Sequence, residues 1–264
     1  TTCLACWCAG ERTLYCPGPV ARRRPRPRPD DCRRRRVERA IGDIHGASLA
    51  LRQCLQRSGF DYENDHLISL GDICDGWPDT KDCIDELLKI NHLTYILGNH
   101  DWWTRQWMKT GFIDTVWFNQ GGEATIKSYT AGVPREHLIF LEQAPHYYLL
   151  QNRLFVHAGV DPHRALEHQD DEIFLWDRNL ARIALDFYQK QISGQLTEFD
   201  EVYLGHTPIP FSQPVQACEV WLMDTGAGWS GVLSMMEIDT KEIFTSDLVP
   251  SLYPGLVGRV RRSG

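Results

Sequence analysis

The chain has 264 residues, with 28 Lys and Arg against 35 Asp and Glu and a formal charge of −7, which is enough to bury one sizeable core plus an appendage. The charge is unevenly spread, because residues 1–40 hold 11 Arg against 4 acidic residues; the acidic remainder therefore carries no electrostatic footprint for nucleic acid. No run approaches the roughly 18 consecutive apolar residues of a membrane helix, so a membrane partner is not expected.

In chain order, the leading segment packs Cys3, Cys6, Cys8 and Cys16 into an apolar stretch and then runs ARRRPRPRPDDCRRRR from Ala21 to Arg36. That composition cannot build a core, so residues 1–36 are expected as a disordered Cys/Arg/Pro-rich extension and residues 37–264 as the folded domain. No second Cys or His pair at zinc-finger spacing follows the Cys cluster, which argues against zinc. The Arg-Pro run is read as a solvated tail or a misassigned start, with counterion-release binding to nucleic acid or an anionic surface as the alternative. A secretory leader would place its basic residues ahead of the apolar stretch, and here the order is reversed. Cys54, Cys74, Cys83 and Cys218 show no framework spacing, which points to reduced thiols and a cytoplasmic setting.

Five short segments then recur down the chain: GDIHG at Gly42 to Gly46, GDICDG at Gly71 to Gly76, GNHD at Gly98 to Asp101, VHAG at Val156 to Gly159, and GHT at Gly205 to Thr207. Each follows a short apolar run (Val37 to Ile41, Leu67 to Leu70, Leu93 to Leu97, Leu154 to Val156, Val202 to Leu204), which reads as a buried strand delivering a polar residue at its carboxyl end. A glycine beside each polar residue permits a sharp turn. Helical periodicity over Ser48 to Ser58 and Thr80 to Ile90, the second after Pro78 and Asp79, makes two βαβ units that bring Asp43, Asp72 and Asn99 to neighbouring parallel strands. Asp161 to Leu196 is expected as a helical excursion. Tyr147 to Leu150, Arg153 to Val156, Glu219 to Met223, Gly231 to Ile238 and Glu242 to Ser246 are expected as a second sheet.

Asp43, His45, Asp72, Asn99, His157 and His206 offer oxygen and nitrogen donors without a thiolate, a set suited to Mn, Fe or Zn rather than to an iron–sulfur cluster. Two ions need a shared ligand, and Asp72 is the natural bridge, since a carboxylate spans ions about 3.5–4 Å apart, the separation used to clamp a phosphoryl group. A lone Gly-Asp or Gly-Asn pair is ordinary turn chemistry, whereas five such segments in this order are not.

On these motifs the chain resembles the calcineurin-like metallophosphoesterases, in particular the phosphoprotein phosphatase branch with bacterial and phage members, over residues 38 to about 248. The resemblance implies an α/β fold, a β-sandwich flanked by helices in αββα layers. It also implies two divalent metal ions, Mn foremost, with Asp43, His45 and Asp72 holding the first and Asp72, Asn99, His157 and His206 the second. His100 becomes the proton donor, oriented by Asp75, and a metal-activated hydroxide the nucleophile; a carboxylate neighbour favours the imidazolium form. The expected activity is hydrolysis of a phosphoester in a phosphoprotein or nucleotide. Dinucleoside polyphosphate hydrolysis is the alternative within the enzymes, and a catalytically weak scaffold acting through its basic tail the alternative outside them.

One departure stands out. The related phosphatases read GDxxDRG, with an arginine that binds phosphate, and here Gly76 and Trp77 follow Asp75. Arg178 in LWDR, and less strongly Arg105 after Asn99, are the remaining candidates for a bidentate phosphate contact alongside Asn99. The gap could also admit a bulkier substrate against Trp77. His66, His92, His137, His146, His163 and His168 are expected at the surface or in caps, Cys74 in the core, and Trp77, Trp102, Trp103, Trp107 and Trp117 in core or lid packing.

Overall fold

The computed structural model describes residues 35–259. The chain divides between residues 35 and 36, and the expectations for the Cys cluster and the Arg-Pro run lie outside the described residues. The second unit opens with β1 (Glu38–Ile41), α1 (Ser48–Arg57), β2 (His66–Ser69), α2 (Thr80–Leu87) and β3 (His92–Tyr95). These are the two expected βαβ units, with β1 parallel to β2 and β2 parallel to β3. In α1 the buried residues Ala50, Leu51, Cys54 and Leu55 recur at helical spacing, so one face seals the sheet and the other meets solvent.

Helix α3 (Asn99–Thr110) follows β3. It starts where the Asp101 carboxylate accepts the Gly98 N–H at 3.0 Å and stops at Gly111, in the left-handed region at φ 72°; both are ordinary helix boundaries. Next come α4 (Thr115–Trp117), a wound segment kinked at Gln120 and Gly121, α5 (Glu123–Ser128) and α6 (Arg135–Glu142). The second half runs β4 (Tyr147–Leu150), β5 (Arg153–Val156), α7 (Asp171–Trp176), α8 (Asn179–Lys190), β6 (Glu201–Leu204), β7 (Val215–Ala217), β8 (Val220–Leu222), β9 (Ser234–Glu237), β10 (Ile243–Thr245) and α9 (Val249–Leu252).

Two five-stranded mixed sheets result, in the orders β10-β9-β1-β2-β3 and β4-β5-β6-β8-β7. One expectation is corrected here: β9 and β10 belong to the first sheet. The parallel run β1-β2-β3 leaves one edge of β1 open, and β9 closes it antiparallel, with Ala40 opposite Met236 and Ile41 opposite Met235. The helical excursion is also broken into α7 and α8 at Asp177 and Arg178.

Three apolar clusters define the layers. Ala40, Ile68, Phe155, Tyr203, Trp221 and Met236 come from both sheets and fill the space between them. A second cluster packs α1 and α2 on the outer face of the first sheet, through Leu51, Cys54, Cys83 and Ile84. A third packs α8 on the second sheet, through Leu180, Ala184, Val202 and Val220. The order helix, sheet, sheet, helix is the expected α/β sandwich. The central parallel strands β2, β5 and β6 are buried along nearly their whole length. Among the described residues no helix is long and apolar enough to cross a membrane.

Candidate active site

The five motifs converge at the carboxyl ends of β1, β2, β3, β5 and β6, the edge where open α/β sheets assemble their sites. Asp43, His45, Asp72, Asp75, Asn99, His100, His157 and His206 are all buried. The backbone there is strained: His45, Asp72, Asp75 and His206 take left-handed φ values of 51°, 49°, 71° and 60°. Non-glycine residues hold such angles only where the surroundings over-determine them, and they collect at functional sites. The ligand-type residues therefore share the turns with the adjacent glycines Gly46, Gly71 and Gly76, which take φ values of 70°, 97° and 112°. Gly98 serves close approach instead, since a Cβ there would meet the Asp72 amide and carboxylate.

Two sets of potential donors share Asp72: Asp43, His45 and Asp72, and Asp72, His157 and His206, with the donor atoms of each set within 4.8 Å of one another. The imidazoles are oriented from behind. His157 Nδ1 donates to the Leu70 carbonyl at 2.8 Å, His45 Nδ1 to the carbonyls of Cys74 and Asp75 at 3.1 Å each, and the His206 ring bonds to the Trp176 backbone. Each Nε2 is left as a lone pair turned inward. His157 Nε2 meets Asn99 Oδ1 at 3.0 Å and Asp72 Oδ1 at 3.4 Å. His45 Nε2 meets Asp72 Oδ2 at 3.7 Å and Asp43 Oδ2 at 3.9 Å. At His157 acceptors face acceptors with no proton between them, which a cation resolves, whereas His45 Nε2 is also met by Arg259 Nη1 at 3.3 Å; backbone bonds that fix the imidazole tautomers are the usual support of metal ligands.

The electrostatics agree. Burial raises Asp43, with Asp224 and Asp72 adding to it, and burial raises Asp72, with Asp101 adding to it. Burial also lowers His45, pushes His157 down to about 3 against the Leu70 bond, and lowers His206. Carboxylates that resist ionising beside imidazoles that resist protonating keep lone pairs for a cation, with the Arg259 guanidinium the positive charge that already acts on them.

Beside this cluster lies a second network. His100 Nδ1 meets Asp75 Oδ2 at 2.8 Å. The same oxygen accepts the Trp117 indole N–H at 2.7 Å, and Asp75 Oδ1 accepts the Thr125 hydroxyl at 2.7 Å. Burial pushes Asp75 up to about 8 despite the bonds from Thr125 and Trp117, and lowers His100, with Arg259 adding to it, so the proton is held by the pair jointly and the imidazolium expected beside a carboxylate is not favoured. The His100 amide donates to Asp72 Oδ1 at 2.9 Å, so the two networks share a fixed backbone.

Arg178, at the start of α8, stands near enough for its charge to depress both His157 and His206. The charge of Arg105 acts on His146, outside the cluster. The space beside Gly76 is not open: a Cβ at Gly76 would lie 3.0 Å from Arg259 Cγ. Trp77 is closed off as well, stacked on Tyr253 with its indole N–H donating to Ala227 at 2.7 Å. Two histidines expected at the surface are buried. His66 bonds Thr94 Oγ1 at 2.9 Å, and His137 bridges the Tyr129 hydroxyl and Asp85 at 2.9 Å each. Sequence reasoning gave Trp117 a packing role alone and gave Thr125, Asp101, Asp224 and Arg259 none; of these only Asp101 and Asp224 lay in or near a motif.

Comparison with known proteins places the chain in a family. A profile described as calcineurin-like phosphoesterase matches residues 40–221, and the chain belongs to that family. It is a phosphoester hydrolase. It is similar to "Serine/threonine-protein phosphatase 1" of Salmonella typhimurium, 24% identical over 75% of this chain and 90% of that protein. It is also similar to "Bis(5'-nucleosyl)-tetraphosphatase, symmetrical" of Pseudomonas fluorescens, 23% identical over 78% of this chain and 93% of that protein. Among solved structures, one titled "Crystal structure of a putative diadenosine tetraphosphatase" shares the fold at a TM-score of 0.60 and 19% identity, over 81% of this chain and 94% of that one.

Proposed function

We propose that the chain hydrolyses phosphoesters with two divalent cations held in the two donor sets that share Asp72. The observation that carries this is the division of the Asp72 carboxylate, one oxygen turned to His45 and the other to His157. Asp43, His45 and Asp72 would hold one ion, and Asp72, Asn99, His157 and His206 the other. Oxygen and nitrogen donors without thiolate suit Mn, with Fe or Zn as alternatives. When bound, such ions supply Lewis acidity to the phosphoryl oxygens and lower the pKa of a coordinated water.

The protein's own groups account for the rest. Asp75, with both oxygens engaged, fixes the His100 ring and leaves its Nε2 to protonate the departing alkoxide, general acid help worth about 10²–10⁴ in rate. Arg178, on the His157 and His206 side, is the candidate clamp for phosphoryl oxygens, with Arg105 the weaker one. The catalytic domain is residues 37–264, since the family match and every site residue fall within it. Free buried Cys54, Cys74 and Cys83 support a cytoplasmic setting.

The substrate is a phosphoprotein or a nucleotide. Dinucleoside polyphosphate hydrolysis gains support from a groove of 740 Å³ beside the site, whose walls include Phe211, Trp229 and Leu256, because aromatic faces suit a base. The deciding experiment is a panel of phosphopeptides, dinucleoside polyphosphates, mononucleotides and an aryl phosphate with added Mn²⁺. Turnover of phosphopeptides over dinucleoside polyphosphates supports the phosphatase reading; no turnover of any phosphoester removes the proposal.

A further inference from the structure

A cation from the far end of the chain reaches the metal-ligand cluster. Arg259 Nη1 stands 3.3 Å from His45 Nε2, and Nη2 donates to Gln120 Oε1 at 3.2 Å. The guanidinium lies over the Trp229 ring at 4.3 Å, and the Arg259 amide donates to the Gly228 carbonyl at 2.8 Å. Its Nε is buried with no hydrogen-bond partner. The residue is thus anchored by backbone, ring and amide contacts, while part of its donor fork is unspent.

Its position follows from Gly76. That residue sits at φ 112°, where a side chain is strained, and a Cβ there would press on Arg259 Cγ at 3.0 Å. The absence of a side chain at Gly76 is what admits the arginine. Asp72, Asp75, Asp224 and Asp43 all act on the guanidinium. Arg259 also lines the 740 Å³ groove, so a substrate entering by that route meets it at the cluster.

We propose that Arg259 is a substrate-binding residue whose guanidinium contacts the phosphoryl group, delivered by the C-terminal segment to the space Gly76 leaves open. The inference rests on the phosphoester hydrolase reading. A planar fork with a free donor beside a cation site is suited to an anion with several oxygens, which a lysine ammonium matches less well.

The test uses the full chain loaded with Mn²⁺ as wild type, Arg259→Ala and Arg259→Lys. Inorganic phosphate binding is read by calorimetry, KM and kcat on p-nitrophenyl phosphate by absorbance, and metal content by elemental analysis. Arg259→Ala is expected to weaken phosphate binding and raise KM by about 10- to 100-fold, with kcat less affected and metal content unchanged. Arg259→Lys should fall between the two. Millimolar guanidinium should partly restore phosphate binding to Arg259→Ala, which a merely structural defect would not allow.

Phosphate affinity and KM within about twofold of wild type would overturn the proposal. So would tighter Mn²⁺ binding with unchanged phosphate affinity, because Arg259 would then be a competitor for the cation site. A wild type that binds phosphate through Arg259 but turns over no phosphoester would instead remove the hydrolase reading, since the calorimetry does not depend on turnover.

Discussion

Trp117→Phe probes the support of the Asp75 network and needs no assumption about the metals. Trp117 is 1% exposed, and its indole N–H donates to Asp75 Oδ2 at 2.7 Å. Phenylalanine keeps an aromatic ring but deletes about three ring atoms, the donor nitrogen among them. A hydrogen bond between neutral groups is worth about 0.5–1.5 kcal/mol, and the lost ring atoms with the void they leave add about 2 kcal/mol. The sum, about 2.5–3.5 kcal/mol, corresponds to a fall in Tm of roughly 5–14 °C at about 2–4 °C per kcal/mol for a domain of this size. The assay is thermal unfolding with chelator present, which removes any contribution from bound cations. Loss of the donor also frees the carboxylate that orients His100, so kcat on an alkyl phosphate should fall as well. A Tm shift below about 4 °C would refute the reasoning, because it would fall short of the loss expected from the ring atoms alone and leave nothing for the indole N–H.

His100→Asn should retain its metal yet slow turnover by about 10²–10⁴, with a smaller loss on aryl than on alkyl phosphates, because an aryl leaving group needs less protonation; equal losses would count against the proton-donor role. Arg178→Ala should raise KM and lower kcat with metal content intact, by roughly 10- to 150-fold in kcat/KM, and unchanged kinetics would remove it as a clamp. His66 is held down to about 4 by burial, with Arg36 and His92 adding to it. The unfolded chain therefore takes up a proton before the folded one does: stability is full above about pH 6.5 and is lost as pH falls toward 4. Comparing Tm at pH 7 and pH 5 in wild type and His66→Gln should show the smaller drop in the variant.

Much of the site was legible in the sequence because its donors come in short segments at strand ends, where local pattern and chemistry coincide. Asp43, Asp72 and Asn99 sit on neighbouring parallel strands because each βαβ unit returns the chain to the same edge. What was not legible depends on contacts distant in sequence. Nothing local to Ser234–Glu237 shows that it closes the open edge of β1 and not a strand of the second sheet. Trp117 and Thr125 reach Asp75 from 42 and 50 residues away, and Arg259 reaches His45 across 214. Composition made Trp117 a packing residue, which it is, but only the fold shows that its N–H holds the Asp75 carboxylate. The missing arginine at Gly76 reads in the sequence as a deficit, whereas in three dimensions the same space is filled by another arginine.

The central claim is that Asp72 is shared by two cations. The most direct measurement is Mn content together with activity for wild type and Asp72→Asn, an isosteric change that removes the negative charge from the bridging position. Wild type should bind about two ions per chain, and Asp72→Asn should lose metal and activity together. An Asp72→Asn protein with full metal content and undiminished turnover would contradict the shared-ligand account.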